Sequence, residues 1–555
     1  MKKKILFLLI IVVGVFLRFY KLGVVPSSLY WDEIINCYDS YSIGQTGMDH
    51  HGNYLPVSHL VSYFDYKNPL YTYLDVIPVK VFGLNEFGCR FPSALFGSLT
   101  FILVYYLTVV LLSKGGRDKK LVNKAEWVGL LASFLVGVSP WHLQFSRAGF
   151  EANINLFLIV LGIYLFIKAV YKKPFNLLLS GVVFGLTPYA YHSSKMIMPV
   201  LVLFLAIFFH KFILKNLRWV IMSLVIGLAI IYPLTTKDAQ EAVMFRFTET
   251  NIFNEEDAVL ESNRLREAQG WSLMSNVFYN RRIFHAKKFL KHYFDHFDFE
   301  YLFVYGDENL RHGTRYTGLF YLVEFPFLLA GFYFLIKNRK EDKNLWVVIF
   351  WLLLSIVPAS FTVTTPHAIR TLSGVGAWQI MIGYGFYCTL VGIKKKKGRV
   401  IMLLVAGGFL VWNILGYLDY YYKYYPAISD EDWQGGYKSA VEYVKDNYDQ
   451  YDKILFTNKY GRAYAYLLFY LDYPVKDIQS YLLEREKGGE REVKNVGKVE
   501  IREVESAKDN SGRILVVGSG RVPKGFREIK KINFLNGDNA FLIYEYVGDK
   551  IETEI

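Results

Sequence analysis

The sequence contains few charged residues and very few cysteines for a chain of 555 residues. Charged residues make up 20% of it, against 53% hydrophobic and 17% aromatic residues, which is too apolar for a typical soluble enzyme. The three cysteines, Cys37, Cys89 and Cys388, lie far apart without metal-ligand spacing, so we expect no disulfide framework. There is no internal repeat, and VVGSGRVPKG matches neither the dinucleotide fingerprint nor the phosphate loop. The composition instead predicts a multi-spanning membrane protein with a soluble portion.

The basic residues are distributed as membrane topology requires. The net charge is +13, but Lys and Arg gather in short runs between apolar segments rather than on one continuous basic domain. We therefore expect these basic residues to interact with the lipid bilayer and not with a nucleic acid.

Apolar segments of membrane-spanning length recur along the first 420 residues. A spanning helix needs about 20 mostly apolar residues, and about eleven segments meet this criterion. They lie near 4–20, 90–113, 126–143, 152–170, 176–191, 196–213, 218–235, 318–336, 345–363, 371–393 and 399–418. The sequence thus predicts a mostly α-helical, polytopic domain over residues 1–420, whose first segment is an uncleaved anchor.

The strongly basic short loops all fall on one side of this arrangement, which the positive-inside rule places in the cytoplasm. These loops are residues 113–124, 168–176, 210–218, 337–344 and 394–399. The opposite side receives a first loop of about 21–85, a long loop of about 236–317 and the tail after residue 420. We expect a multi-pass protein of the plasma membrane whose tail is non-cytoplasmic.

The tail, residues 421–555, has the pattern of a small soluble α/β domain. YKSAVEYVKDNYDQYD has helical periodicity, whereas KILFTNKY, RILVVGSG and NAFLIYEYV are typical of strands.

The long outer loop has two parts of different character. MFRFTETNIFNEEDAVLESNRLREAQG is charged and irregular, and FYNRRIFHAKKFLKHYFDHFDFEYLF is amphipathic and basic. The second part suits either a lid on the membrane surface or a solvated helix pair. The following GDENLRHGTRY is rich in turn formers and charge.

Ionisable residues cluster in the loops on the outer side. Such groups are costly near apolar spans, so they should face a wet cavity and pair with one another or with a ligand. The alternative is that each one marks a loop end or snorkels to water. They are the acidic pair Asp32 and Glu33, then Lys67, Arg147, Glu151, Lys195, His367 and Arg370. Asp49, His50 and His51 have the atoms to bind a metal, but GMDHHGNYLP favours a turn and we predict no metal site.

A cavity of this composition suits a sugar linked to a lipid phosphate. Basic groups at the membrane surface bind phosphate, and aromatic residues such as Tyr71 suit a sugar ring or an isoprenoid chain. A carboxylate beside the sugar can act as general base towards a hydroxyl or an amine. Because cations make the phosphate a good leaving group, this chemistry needs no general acid and no further cofactor.

Four stretches, YWDE, YKNPLYTYL, VKVFGLNEFGCRFPSALFG and SRAGFEANINLFL, carry a family resemblance. They resemble the GT-C superfamily of membrane glycosyltransferases that use polyprenyl-phosphate sugars, in the branch of protein O-mannosyltransferases and the lipid A aminoarabinose transferase. YWDE after the first span is similar to that family's Asp-Glu signature. YKNPLYTYL and VKVFGLNEFGCRFPSALFG resemble its K-P-P-L-x-Y-W stretch and F-G-x-x-E-x-x-x-R-x-P-S continuation, with Asn68 in place of the first proline. SRAGFEANINLFL is similar to its R-x-x-x-x-D/E segment, with Glu151 where Asp is commoner.

The resemblance implies roles for the matching residues. Asp32 is implied as the catalytic base with Glu33 beside it, and Lys67 as the lysine that meets the lipid phosphate, while Arg90 falls at the arginine position. The weaker assignments follow from topology alone. They give donor binding to Arg147, Lys195, His367 and Arg370. Glu151, whose role the motif leaves open, and the aromatic Tyr71 are assigned to acceptor binding or support.

The implied reaction moves a sugar, mannose or a related one, from a polyprenyl-phosphate donor to an acceptor on a protein, a lipid or a glycan. Inversion at the anomeric carbon is expected. A transporter or flippase for a lipid-linked saccharide is the alternative, although such proteins usually show repeat symmetry and midplane charges. The acidic pair has an alternative too, as a cap of a helix over IINCYDSYSI.

Overall fold

A computed structural model describes residues 1–63, 65–116, 118–254, 257–487, 493–502 and 512–546. Most of these residues are helical, and the strands lie in a hairpin and in a sheet near the end of the chain.

The helices up to residue 250 include the first seven predicted spans. They are α1 Lys2–Phe19, α2 Trp31–Thr46, α3 Leu70–Phe82, α4 Glu86–Ser113, α5 Lys119–Val138, α6 Pro140–Ser146, α7 Ala152–Tyr171, α8 Asn176–Leu186, α9 Ser194–Phe208, α10 His210–Lys215, α11 Leu217–Ile231 and α12 Lys237–Thr250.

The later helices include the last four predicted spans. They are α13 Asp257–Ala268, α14 Leu273–Phe278, α15 Arg281–Asp295, α16 Phe325–Lys337, α17 Leu345–Ser360, α18 Ala368–Thr371, α19 Val375–Gly392, α20 Lys396–Lys423, α21 Tyr425–Ile428, α22 Tyr437–Asp446, α23 Ala463–Tyr470 and α24 Val475–Lys487.

Each of the eleven predicted apolar segments is mostly helical, although 126–143, 196–213 and 371–393 each cover parts of two helices, so their helical character is confirmed. Five helices in the described part of the chain are long and apolar enough to cross a membrane. They are Glu86–Ser113, Lys119–Val138, Ala152–Tyr171, Leu217–Thr235 and Lys396–Lys423. Further apolar helices, such as α9 and α17, are shorter. The number of spans therefore stays a prediction.

The long outer loop is more regular than its sequence indicates. We expected an irregular segment before residue 271, but α12 and α13 occupy most of it, so that expectation is wrong. Charged residues spaced along one exposed helical face give little hydrophobic periodicity, which is why the pattern concealed these helices. The amphipathic second part forms α15, whose N-cap Asn280 accepts hydrogen bonds from the backbone N–H groups of Arg282 and Ile283.

The chain divides into two compact units. The first contains residues 1–20, 93–146 and 151–418, and the second contains residues 21–92, 147–150 and 419–555. The second unit thus combines the first outer loop with the C-terminal tail.

The second unit contains every strand found among the described residues. They are β1 Leu60–Ser62, β2 Asp65–Lys67, β3 Lys453–Phe456, β4 Asn495–Val496, β5 Val499–Ile501, β6 Ile514–Gly518, β7 Phe526–Asn533 and β8 Asn539–Tyr546. β1 and β2 form a hairpin, and the other six form a sheet of order β4-β5-β3-β6-β8-β7. β3 is parallel to β5 and to β6, whereas β8 is antiparallel to β6. The helix and the three strands predicted in the tail are confirmed as α22, β3, β6 and β8.

The core of the second unit joins the tail to the first loop. Side chains of α2, among them Ile34, Ile35 and Tyr38, are fully buried in the same hydrophobic cluster as Tyr437 of α22 and Phe541 of β8. This packing fixes α2, and with it the acidic pair at its start.

One expectation about cysteine is wrong. The structure pairs Cys37 of α2 with Cys89 of α4 in a disulfide, with a Cα–Cα distance of 5.3 Å. The two residues are separated by 52 positions in the sequence. Their proximity arises because α3 packs against α2 before the chain enters α4, which cysteine spacing does not reveal.

Candidate active site

The acidic pair lies in the first turn of α2, as the helix-cap alternative also required. The Glu33 carboxylate caps the helix by accepting a hydrogen bond from the Tyr30 backbone N–H at 3.0 Å. At the other end, Gly47 closes α2 in the left-handed conformation, with φ of 75°. Negatively charged side chains are favourable at a helix N-terminus, where they complement the helix dipole.

The two carboxylates differ sharply in their surroundings. Glu33 is 1% exposed and forms a bidentate pair with Arg90, at 2.9 Å to Nε and 3.1 Å to Nη2. Its Oε1 also accepts the backbone N–H of Gly149 at 2.6 Å. Asp32, by contrast, is only half-buried. Glu33 is therefore engaged in structure, and Asp32 is the more exposed member of the pair.

Arg90 links this pair to the loop before α2. Its guanidinium donates to the carbonyl oxygens of Pro26 at 2.8 Å and Ser28 at 2.5 Å, and it is fully buried. The Glu33–Arg90 pair thus holds the segments around residues 22–28, 90 and 149 together, which fixes the start of α2.

Lys67 contacts α2 one turn beyond Asp32. Its Nζ donates to Asn36 Oδ1 at 2.8 Å and lies 3.5 Å from Asp39 Oδ2. Asp32, Asn36 and Asp39 are spaced i, i+4 and i+7, so they share one face of the helix. This spacing could have been found in the sequence, yet Asn36 and Asp39 were missed there.

Asp39 is the buried, negatively charged residue on this face of α2, and it lies beside Lys67 and His50. Burial raises the pKa of its carboxyl, but the charges of His50 and Lys67 and the hydrogen bonds from His50 outweigh this and lower the pKa to about 2. His50 Nδ1 lies 2.6 Å from Asp39 Oδ1, and its backbone N–H donates to the same oxygen. The expected turn at GMDHHGNYLP is confirmed, since Gly52 N–H donates to the Asp49 carbonyl.

The second unit also contains Arg147 and Tyr71. Arg147 is buried, donates to the carbonyl oxygens of Lys21 and Val25 at 3.2 and 3.0 Å, and lies over the ring of Tyr421. Tyr71 is 1% exposed, and its hydroxyl donates to the Cys89 carbonyl at 2.7 Å. Both side chains support loops of this unit in the structure.

The other predicted residues belong to the first unit. Lys195 and Arg370 line one cavity of about 450 Å³, together with Arg246, which the sequence analysis missed. Met196, Phe247, Pro358 and Phe361 are among its apolar lining. Arg246 comes from α12, in the segment predicted to be irregular, so no pattern placed it near Lys195.

His367 and Glu151 occupy different surroundings in that unit. His367 lies beside Asp307 and His312, whereas Glu151 is half-buried at the N-cap position of α7. The structure thus assembles Asp32, Glu33 and Lys67 along α2 within one unit, and Lys195 and Arg370 around a cavity within the other.

Comparisons with known proteins agree with these observations. A family model described as dolichyl-phosphate-mannose-protein mannosyltransferase matches residues 8–245. No curated protein matches the chain by sequence.

Solved structures show the fold over nearly the whole chain. ArnT from Cupriavidus metallidurans in the apo state is similar with a TM-score of 0.52 at 12% identity, covering 99% of each chain. The same protein bound to undecaprenyl phosphate has a TM-score of 0.51 at 12% identity, covering 97% of each. The Archaeoglobus fulgidus oligosaccharyltransferase tethered to an acceptor peptide has a TM-score of 0.51 at 12% identity, covering 93% of this chain and 69% of that one. Residues 8–245 of the chain thus match this mannosyltransferase family model, and the chain shares the fold of these solved structures.

Proposed function

We propose that the protein transfers mannose or a related sugar from a polyprenyl-phosphate donor to an acceptor hydroxyl or amine on the non-cytoplasmic face of the plasma membrane. The observation that carries this proposal is the arrangement along α2. A half-buried carboxylate, Asp32, stands at the helix start, and the Lys67 ammonium is held one turn away by Asn36. One turn is a rise of about 5.4 Å along the helix axis, so Asp32 and the contact of Lys67 with Asn36 lie on adjacent turns of one face of α2.

The proposed step is a single displacement at the anomeric carbon. The acceptor oxygen or nitrogen forms a bond to that carbon while its proton passes to the Asp32 carboxylate. The bond between the anomeric carbon and the phosphate oxygen breaks, and polyprenyl phosphate leaves with the electron pair. Because bond formation and cleavage occur on opposite faces, the configuration inverts. All bonds and the transferred proton in this step are accounted for without a metal or another cofactor.

Glu33 acts in this scheme as a positioning residue. Its carboxylate already accepts hydrogen bonds from Arg90, Tyr30 and Gly149, so it is not available to take the acceptor's proton. It holds the first turn of α2 in place, and Asp32 with it.

Transfer by the purified protein tests the proposal. Labelled polyprenyl-phosphate mannose and a labelled aminoarabinose donor are each offered in detergent with an extract of envelope proteins and glycolipids. Label should appear in an acceptor, identified by mass spectrometry, with release of polyprenyl phosphate. If both donors stay intact while lipid-linked saccharide crosses the bilayer of proteoliposomes, the protein is a flippase instead.

Lys67 is proposed as the ligand of the donor phosphate. An ammonium has three donors, and two of them point at Asn36 and Asp39, so one is left for a phosphate oxygen. We expect Lys67→Ala to weaken donor binding by roughly ten- to a hundredfold, because a charge-assisted contact contributes about 1.5–3 kcal/mol. Lys67→Arg should recover part of this loss, since the planar guanidinium does not replace a point charge. Binding of a labelled donor to detergent-solubilised protein measures both effects.

Lys80→Ala is the matched control, because Lys80 is an exposed lysine on α3 of the same unit. A second candidate for the phosphate is the cavity with Lys195, Arg246 and Arg370, whose cations and apolar walls suit a lipid phosphate. Unchanged affinity in Lys67→Ala together with reduced affinity in Arg370→Ala would assign the phosphate to that cavity.

The orientation in the membrane is a further part of the proposal. Reporter fusions after Lys120, Lys173, Arg218 and Lys340 should be cytoplasmic, because these residues belong to the strongly basic short stretches between apolar segments. Fusions after Asn53 and Gly435, in the second unit, should report the outer side. A cytoplasmic signal from the Gly435 fusion would overturn both the number of spans and the side of the reaction.

A further inference from the structure

Three potential metal ligands meet in the first unit, in a part of the protein that the proposed reaction does not use. They are Asp307 and His312, from the turn-rich segment after α15, and His367, which directly precedes α18. One ligand atom from each residue lies within 4.8 Å of the others. Asp307 Oδ2 is 3.2 Å from His312 Nδ1 and 4.0 Å from His367 Nδ1.

The cluster is held in place by its surroundings. Asp307 Oδ2 accepts the backbone N–H of Ala368 at 2.7 Å, and Oδ1 accepts that of Asn309 at 2.9 Å. The backbone N–H of His367 donates to His296 Nε2 at 3.1 Å. These contacts orient the ligands before any ion binds, as the outer groups around metal sites do.

One nitrogen of the cluster has no partner to explain its placement. His367 Nδ1 is buried, and within the described residues it makes no hydrogen bond. Its distance of 4.0 Å from Asp307 is too long for a hydrogen bond. A buried polar atom normally has a hydrogen-bond partner. The Asp307–His312 hydrogen bond therefore does not explain why the His367 imidazole also faces the Asp307 carboxylate.

We propose that Asp307, His312 and His367 bind one divalent transition-metal ion, with Zn²⁺ as the best fit. Two imidazoles and one carboxylate are a typical zinc donor set with an open fourth position. Tetrahedral ligand atoms at zinc distances are about 3.4 Å apart, so the observed 3.2 Å fits directly. The 4.0 Å separation from the carboxylate, and the separation of up to 4.8 Å among the three ligand atoms, require the ligands to close in by roughly 1–1.5 Å.

The ion would fix the loop that carries Arg370. His367 directly precedes α18, and Arg370 on that helix lines the cavity with Lys195. The Arg370 side chain also donates to the hydroxyls of Thr362 at 2.5 Å and Thr364 at 3.2 Å. These hydrogen bonds already connect residues 362–370 internally, and the metal would fix the same segment at His367. The metal site itself does not depend on what that cavity binds.

Metal content of the full chain tests the site. The protein is purified with a histidine-free affinity tag, stripped with a chelator, incubated with ZnCl₂ and passed over a desalting column. Plasma mass spectrometry should find about one zinc per chain in the wild type, and less than about a tenth of that in His312→Gln and His367→Gln. Glutamine keeps a hydrogen-bonding group in place of the imidazole and so protects the fold.

His210→Gln is the matched control, because His210 is an exposed histidine on α10 and should leave the zinc content unchanged. Zinc should also raise the thermal unfolding midpoint of the stripped wild type but not that of His312→Gln. The wild type retaining no zinc, or His312→Gln retaining as much as the wild type, would overturn the proposal. Since these readouts involve no sugar donor, they fail or succeed independently of the proposed transferase mechanism.

Discussion

Replacing Asp32 by asparagine is expected to lower the turnover of sugar transfer by about 10² or more, while the protein still folds and binds its donor. The substitution keeps the size of the side chain and removes its basicity. Asp32 is half-buried at the start of α2 and takes no part in the Glu33–Arg90 pair, so folding should survive the change. The assay follows label from a polyprenyl-phosphate sugar in detergent, with donor binding measured in parallel.

Asp446→Asn is the control for this substitution, because Asp446 is an exposed aspartate on α22 of the same unit. Its turnover should equal that of the wild type. The anomer of the wild-type product, determined by NMR, tests the geometry of the displacement separately. Near-normal turnover in Asp32→Asn would reduce the acidic pair to a helix cap, and a product that retains the donor's configuration would exclude the single displacement.

Much of this site could be predicted because its chemistry is local in sequence. YWDE directly follows an apolar segment, and Lys67 lies in a recognisable motif, so the sequence alone made both of them candidates. The helices, too, follow from runs of apolar residues whose length is set by the bilayer. Periodicity and length are properties of a short window, and a sequence displays them directly.

Other features depend on which distant segments fold together, and these could not be predicted. The Cys37–Cys89 disulfide and the contact of Lys67 with Asn36 require α3 and the hairpin to return to α2. Arg246 reaches the cavity with Arg370 only because the charged segment around it is a helix. No local pattern encodes such pairings, since the free energy that selects them comes from packing of the whole unit.

The acidic pair also shows that a local sequence pattern does not predict which side chain is buried. Adjacent carboxylates indicate shared chemistry in a sequence, but consecutive residues of a helix point about 100° apart. Asp32 therefore remains at a partly open surface, whereas Glu33 is turned into the protein and meets Arg90. The difference in surroundings between the two residues follows from helix geometry once the buried side of α2 is known.

Arg90→Met is expected to destabilise the folded protein by about 3–5 kcal/mol, because it leaves the Glu33 carboxylate buried without its counter-charge. Both partners are fully buried, and the guanidinium also satisfies the carbonyl oxygens of Pro26 and Ser28. Arg90→Lys should recover only part of the loss, since a single ammonium cannot make the bidentate contact. Thermal unfolding in detergent, followed by the monodisperse fraction in gel filtration, measures the effect.

A double substitution separates the buried charge from the lost contacts. Glu33→Gln with Arg90→Met removes both charges, so it should be more stable than Arg90→Met alone, although the carbonyl oxygens still lose their donor. If the double variant is no more stable than the single one, the cost lies in those carbonyl contacts and not in the ion pair. Wild-type stability in Arg90→Met would show that the pair does not hold α2. In that case the orientation of Asp32 would have to depend on the packing of α2 against α22 and α23, with the ion pair as a consequence of that packing.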